Sequence, residues 1–174
     1  MANMTGSDGK RYTDRPLPDY RHLPGKTPHP TRNPEGHSYG RPEPDLPDLN
    51  HEDWRKSEEY LYGIDLFNEG YWWECHEVLE GLWLAAGVGS DAGHVLQAVI
   101  QCAAAHLKAF TDRPVGAMRL HDHSLRHARW TGERKLGLDL ETMVRDTRSY
   151  ITIQEADAAR LELEFAPPDS TDSP

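Results

Sequence analysis

Nine prolines stand between Pro16 and Pro47, at positions 16, 18, 24, 28, 30, 34, 42, 44 and 47, and no helix can run through that stretch. Each ring fixes φ, removes an amide donor and pushes the preceding residue out of the helical region. Residues 1–48 are therefore read as an extended, proline-rich arm. Tyr12, Leu17, Tyr20, Leu23 and Tyr39 recur along it. That is more apolar surface than a solvating linker needs, so the arm is expected to dock partly on the rest of the chain; the alternative is a disordered leader.

From Asn50 the pattern turns helical, and residues 49–165 are expected to form a helical domain. Asn50-His-Glu-Asp53 reads as a capping box with Asp in place of Glu, and Trp54, Tyr60, Leu61, Ile64 and Phe67 keep helical spacing up to Gly70. A second helix is expected from about Tyr71 to Ala86 and a third from about Ala92 to Phe110. The third is rich in small residues (Ala98, Cys102, Ala103, Ala104, Ala105), as suits a central helix that neighbours approach closely. Pro114 fits the first turn of a fourth helix running to about Trp130. Leu140–Ile151 forms a fifth, with Asp139 near its start, and residues 154–165 read as a further short helix. No segment alternates with period two, so no strand is expected. Residues 166–174 read as a disordered tail. The fold class is thus all-α, a bundle of five to six helices behind the arm.

Charge narrows the partners. The arm is neutral, with seven basic and seven acidic residues, so the net charge of −10 falls wholly on the helical part. An acidic domain with no basic stripe repels phosphate backbones and anionic membranes, which excludes nucleic acid and membrane as partners. A protein partner or a second copy of the chain is expected instead. The first residues lack a charged segment leading into an apolar run, and no stretch of about 18 apolar residues occurs, so the expected address is the cytoplasm. Cys75 and Cys102 have neither CxxC spacing nor a framework count and read as buried free thiols.

The candidate chemistry lies in Trp72-Trp73-Glu74-Cys75-His76-Glu77-Val78-Leu79-Glu80-Gly81-Leu82-Trp83. At about 100° per residue, Leu79, Trp72, Trp83, His76, Glu80 and Trp73 share one arc, with Glu77 on its border and Glu74 facing away. His76 and Glu80 then sit one turn apart on a tryptophan-rich face, expected to be buried and to pair with each other. Three roles are open to them: a hydrogen bond that fixes helix docking, a divalent-metal site, or an acid/base pair in which Glu80 orients His76. A third metal ligand would have to come from another helix, with Asp65, Asn68 and Gln101 as candidates. Gln97 and Gln101 share a face of the third helix, and Gln101 could reach the pair. His121, His123 and His127 form a second group, of which His123 and His127 are one turn apart. The HExxE sequence lacks the second histidine of a zinc protease. There is no P-loop, GxGxxG or GxSxG, and no paired Glu-x-x-His for a di-iron centre.

The run from Phe67 to Trp83, followed by Leu96-Gln97-Ala98-Val99-Ile100-Gln101-Cys102-Ala103-Ala104-Ala105, resembles a bacterial and archaeal helical family called domain of unknown function 309. Val115-Gly116-Ala117 and Gly137-Leu138-Asp139 fit its weaker downstream positions. The likeness covers about residues 55–150. It implies a compact helical bundle and places Phe67, Asn68, Gly70, His76, Glu77, Glu80, Trp83 and Gln101 on the family motif, without implying a reaction. Two functions are therefore expected. The first is a binding or scaffolding module with a buried His–Glu motif, and the second is a small-molecule enzyme, such as a metal-assisted hydrolase. In either case His76 and Glu80 are the catalytic or metal candidates, and Phe67, Asn68, Glu77, Trp83 and Gln101 are the surrounding pocket.

Overall fold

Side-chain hydrogen bonds mark where several of the helices begin. The computed structural model describes residues 10–42, 44–132, 134–153 and 155–165. It contains α1 (Glu58–Asn68), α2 (Trp72–Ala86), α3 (Asp91–Phe110), α4 (Pro114–Thr131) and α5 (Leu140–Thr152). Between α4 and α5 lies a small antiparallel hairpin, β1 (Arg134–Lys135) and β2 (Leu138–Asp139), with Arg134 opposite Asp139 and Lys135 opposite Leu138. The all-α bundle is as expected, apart from this hairpin. Among the described residues no helix is long and apolar enough to cross a membrane. The tail expected at 166–174 lies outside the described residues.

Side-chain oxygens satisfy the first free amides of three helices. Ser57 accepts from Tyr60 N, Ser90 from Gly93 N and Asp139 from Thr142 N. The expected cap at Asn50 is thus displaced to Ser57, after a short 3-10 turn at Trp54–Lys56. Asn50 instead bridges two other helices: its amide donates to Ala86 O and accepts from Ala92 N. The α1–α2 corner is closed by backbone alone. Gly70, at φ +77°, lets its own N–H reach Phe67 O while Tyr71 N–H reaches Leu66 O. This is a Schellman turn, and glycine is the residue that adopts its left-handed position without strain.

The core is built around α3, which packs against α2, α4 and α5. Its small buried residues Ala98, Cys102, Ala103 and Ala105 allow that close approach. At the α1–α2 contact a Cβ on Gly63 would stand 2.4 Å from a Leu79 methyl, so a methyl group there would require the buried Leu79 side chain to shift. Cys75 and Cys102 are buried free thiols, and burial raises both, Cys102 to about 11. The Cys102 thiol lies 3.1 Å from Ser124 Oγ, whose hydroxyl donates to Ala98 O and ties α4 to α3.

Residues 155–165 are not the expected helix. They run extended, with Ala159, Leu161 and Leu163 buried in alternation. Their backbone amides are claimed by side chains and a carbonyl from elsewhere. Ala159 N donates to His106 Nε2, Leu161 N to Asn68 Oδ1, Leu163 N to Tyr12 Oη and Glu164 N to Gly137 O. Four such bonds outcompete a short solvent-facing helix.

The arm lies along α1 and α2, where two buried carboxylates receive it. Asp65, 1% exposed, accepts from Tyr12 N, Thr13 N and the Thr13 hydroxyl. Glu74 accepts from His22 N at 2.7 Å and lies 3.1 Å from His37 Nε2. The Tyr62 hydroxyl donates to Pro16 O, and Arg15 stacks on the Tyr62 ring while pairing with Glu59.

Two of these contacts are open to direct test. Asp65→Ala strands two backbone donors and removes the arm's anchor. It should cost about 2–4 kcal/mol in urea unfolding and expose the arm to limited proteolysis; an unchanged midpoint would contradict the role. The second concerns His106, which is fully buried, with Nδ1–H donating to Cys102 O and Nε2 accepting from Ala159 N. Burial pushes its pKa down to about 4. Below about pH 6.5 the unfolded chain takes up a proton there that the folded chain refuses. Stability should therefore fall as pH drops from 6.5 toward 4, by up to about 3 kcal/mol. Urea midpoints across that window, steeper in the native protein than in His106→Gln, would establish this.

Candidate functional site

The α2 helix buries Trp72, Cys75, Leu79, Leu82 and Ala86, so its core-facing side is centred on Leu79 and Cys75. This corrects the expected arc, which was centred on His76. Tryptophans weighted that arc, yet Trp73 and Trp83 lie on the flanks, half-buried, as large amphipathic rings often do. Cys75, Leu82 and Ala86 mark the true centre. Glu74, expected to face away, is 4% exposed because the arm covers it.

The His76–Glu80 pair is consequently not buried. The His76 side chain is 33% exposed, Glu77 40% and Glu80 44%. His76 Nδ1 lies 3.3 Å from Glu77 Oε1, and Nε2 lies 3.9 Å from Glu80 Oε2, an ion-pair separation rather than a hydrogen bond. The nearer partner is therefore Glu77, which had been expected only at the border. One ligand atom from each of His76, Glu77 and Glu80 falls within 4.8 Å of the others, a potential metal-holding group among the described residues.

None of the three residues expected to complete a metal site contributes. Asp65 is engaged by the arm. Asn68 clamps the C-terminal segment, its amide donating to Leu161 O and accepting from Leu161 N. Gln101 donates to Gln97 at 3.1 Å and makes no hydrogen bond to His76 or Glu80 among the described residues. Phe67 is a core residue whose ring meets His106 at 5.1 Å, and Trp83 packs on the core near Gly93. The expected pocket residues are thus spread over the bundle rather than gathered at one point.

The second histidine group does not converge either. His121 is buried, with Nε2 on Val144 O, while His127 meets His94, Nδ1 to Nδ1, at 2.9 Å. Sequence reasoning missed the part that Asp65 and Glu74 play in receiving the arm. Their signal is an acidic residue set among the apolar positions of each helix.

The pKa of His76 is raised, first by its hydrogen bond to Glu77, with burial opposing and the charges of Glu80 and Glu77 adding to the rise. The protonated form is the one held. Its stabilising contribution is full below the unfolded value near 6.5 and is lost as pH rises through the folded pKa. A proton NMR titration of the imidazole should give a pKa above 6.5 that falls more in Glu77→Gln than in Glu80→Gln. The reverse order would refute the geometry.

No curated protein matches the chain. Residues 60–120, from the first turn of α1 into α4, match the family model described as Domain of unknown function (DUF309). The match spans the Schellman corner, the HExxE segment and the small-residue face of α3. Over those 61 of its 174 residues the chain is similar to the DUF309 family.

Proposed function

We propose that this domain is a binding module that takes one divalent cation at His76, Glu77 and Glu80 and presents it to a protein partner. The carrying observation is the closeness of the three donor atoms, all within 4.8 Å on one accessible helix face. Around a tetrahedral zinc with bonds of about 2.0–2.2 Å, ligand atoms stand roughly 3.3 Å apart. Small side-chain rotations close that gap. Three protein ligands leave a fourth position for water or for a side chain of the partner.

The surroundings favour binding over catalysis. Glu77 lines a cavity of about 310 Å³ between the arm and α2, but neither His76 nor Glu80 lines it, nor the cavities of about 820 and 530 Å³ elsewhere on the protein. A hydrolase would need a substrate enclosed beside its metal. One turn beyond Glu80, Leu84 is 65% exposed, an apolar contact next to the cation position. A second copy of the chain is one partner that could use it.

Calorimetric titration of tag-free protein with zinc and manganese should show a single saturable site for at least one of them. His76→Ala should weaken it at least tenfold. Affinity should decline as pH falls through the raised His76 pKa, because proton and metal compete for the same nitrogen. Absence of saturable binding, or binding indifferent to His76→Ala, would reject the reading.

A further inference from the structure

A groove of about 530 Å³ opens between α4 and α5, and none of its lining residues belongs to α2 or to the arm. Helical spacing makes its two walls. Leu125, Ala128 and Arg129 recur at steps of three and four along α4, as do Glu141, Val144, Arg145 and Arg148 along α5. Each set therefore shares one face of its helix. The apolar lining is formed by Ala128, Leu140 and Val144, which are buried, and by Leu125, which is half-buried. His121, also buried, donates from Nε2 to Val144 O at 3.2 Å and ties the two helices together at the groove. The groove is thus fixed by a helix–helix contact rather than by a loop.

Its charge runs against that of the chain. The net charge is −10, yet this wall carries Arg129, Arg145 and Arg148 against Glu141 as its carboxylate. Arg145 is already engaged, with Nε 2.9 Å from Asp146 Oδ1. Arg129 and Arg148 are exposed and pair with no carboxylate among the described residues. Screening limits exposed charges to a reach of about 8 Å at physiological salt, so acidic groups elsewhere on the surface do little to cancel these two. An ammonium compound would be repelled here. A bare inorganic anion would leave the apolar lining unused, and an uncharged apolar molecule would leave the guanidinium groups unused. A molecule with one carboxylate on an apolar body uses both, because guanidinium and carboxylate match as a two-bond pair. The volume falls within the usual ~300–1,000 Å³ of small-molecule sites.

We propose that the α4–α5 groove is a binding site for a small amphipathic monocarboxylate. Its carboxylate pairs at the rim with Arg129 or Arg148, and its apolar body lies on Leu125, Ala128 and Val144. The assignment does not depend on the cation site, which shares no residue with it.

The chain labelled with ¹³C at its leucine and valine methyls allows a direct test. Hexanoate is the probe, with acetate, hexanol and hexylammonium as controls that remove the body, the charge or its sign. The Leu125 and Val144 methyl peaks should shift saturably with hexanoate, in the millimolar range or tighter. Each control should bind at least tenfold more weakly, and added sodium chloride should weaken hexanoate. Arg129→Gln combined with Arg148→Gln should weaken hexanoate at least tenfold, and the single substitutions show which arginine holds the carboxylate. Both arginines are exposed, so these changes leave the fold intact. Glu141→Gln, which removes the opposing carboxylate, should tighten binding severalfold. No saturable shift with hexanoate would overturn the proposal. Equal binding of hexanol or hexylammonium, or an affinity indifferent to the double substitution, would overturn it as well.

Discussion

Burial of the Asp65 carboxylate sets the terms on which the arm and the bundle meet. A carboxylate removed from water must recover its hydrogen bonds or lose its charge. Asp65 recovers them from two backbone amides and a hydroxyl in residues 12 and 13. Proline-rich chain makes no ladder of its own, so its remaining N–H groups are free for such use. One turn-rich stretch further on, Glu74 is met in the same way by the amide of His22. The arm and helices α1 and α2 therefore complete each other. Without the arm two helices would hold acidic residues on faces otherwise apolar.

On the opposite side of α1 a neutral imidazole plays the corresponding part. His106 touches the rings of Phe67, Trp72 and Tyr150, the last in a stacked arrangement at 4.7 Å. With Nδ1–H committed to Cys102 O, its Nε2 must accept, and Ala159 N supplies the proton. One side chain thus fixes its own tautomer, the aromatic packing around it and the course of the C-terminal segment. Asn68 and Tyr12 continue that work along the same segment, so the arm and the segment are also tied to each other.

The segment that resembles DUF309 separates into parts with different physical roles. Gly70 and Phe67 make the corner and the core, Asn68 holds the extended segment, and Glu74 receives the arm. His76, Glu77 and Glu80 lie on the outer side of α2 and interact chiefly with one another. A conspicuous HExxE pattern had suggested a buried His–Glu pair. In the structure the three side chains are half-exposed, and His76 lies nearer to Glu77 than to Glu80.

Much of the architecture was legible in the residues themselves. The apolar spacing of Tyr60, Ile64 and Phe67, the start at Pro114 and the cap at Asp139 each act within a turn or two, so five helices could be placed from local chemistry. The small residues of α3 announced its central position for the same reason. The residues alone did not determine which side of α2 faces the core, because Trp73 and Trp83 are apolar enough to suggest burial and polar enough to sit at a boundary. They also did not reveal that residues 155–165 would be extended, since the partners of those amides lie far away in sequence at Tyr12, Asn68, His106 and Gly137. The exposure of His76 and the burial of Glu74 were both decided by tertiary structure. A side chain's surroundings depend on which distant segment comes to cover it, and spacing along one helix carries no information about that.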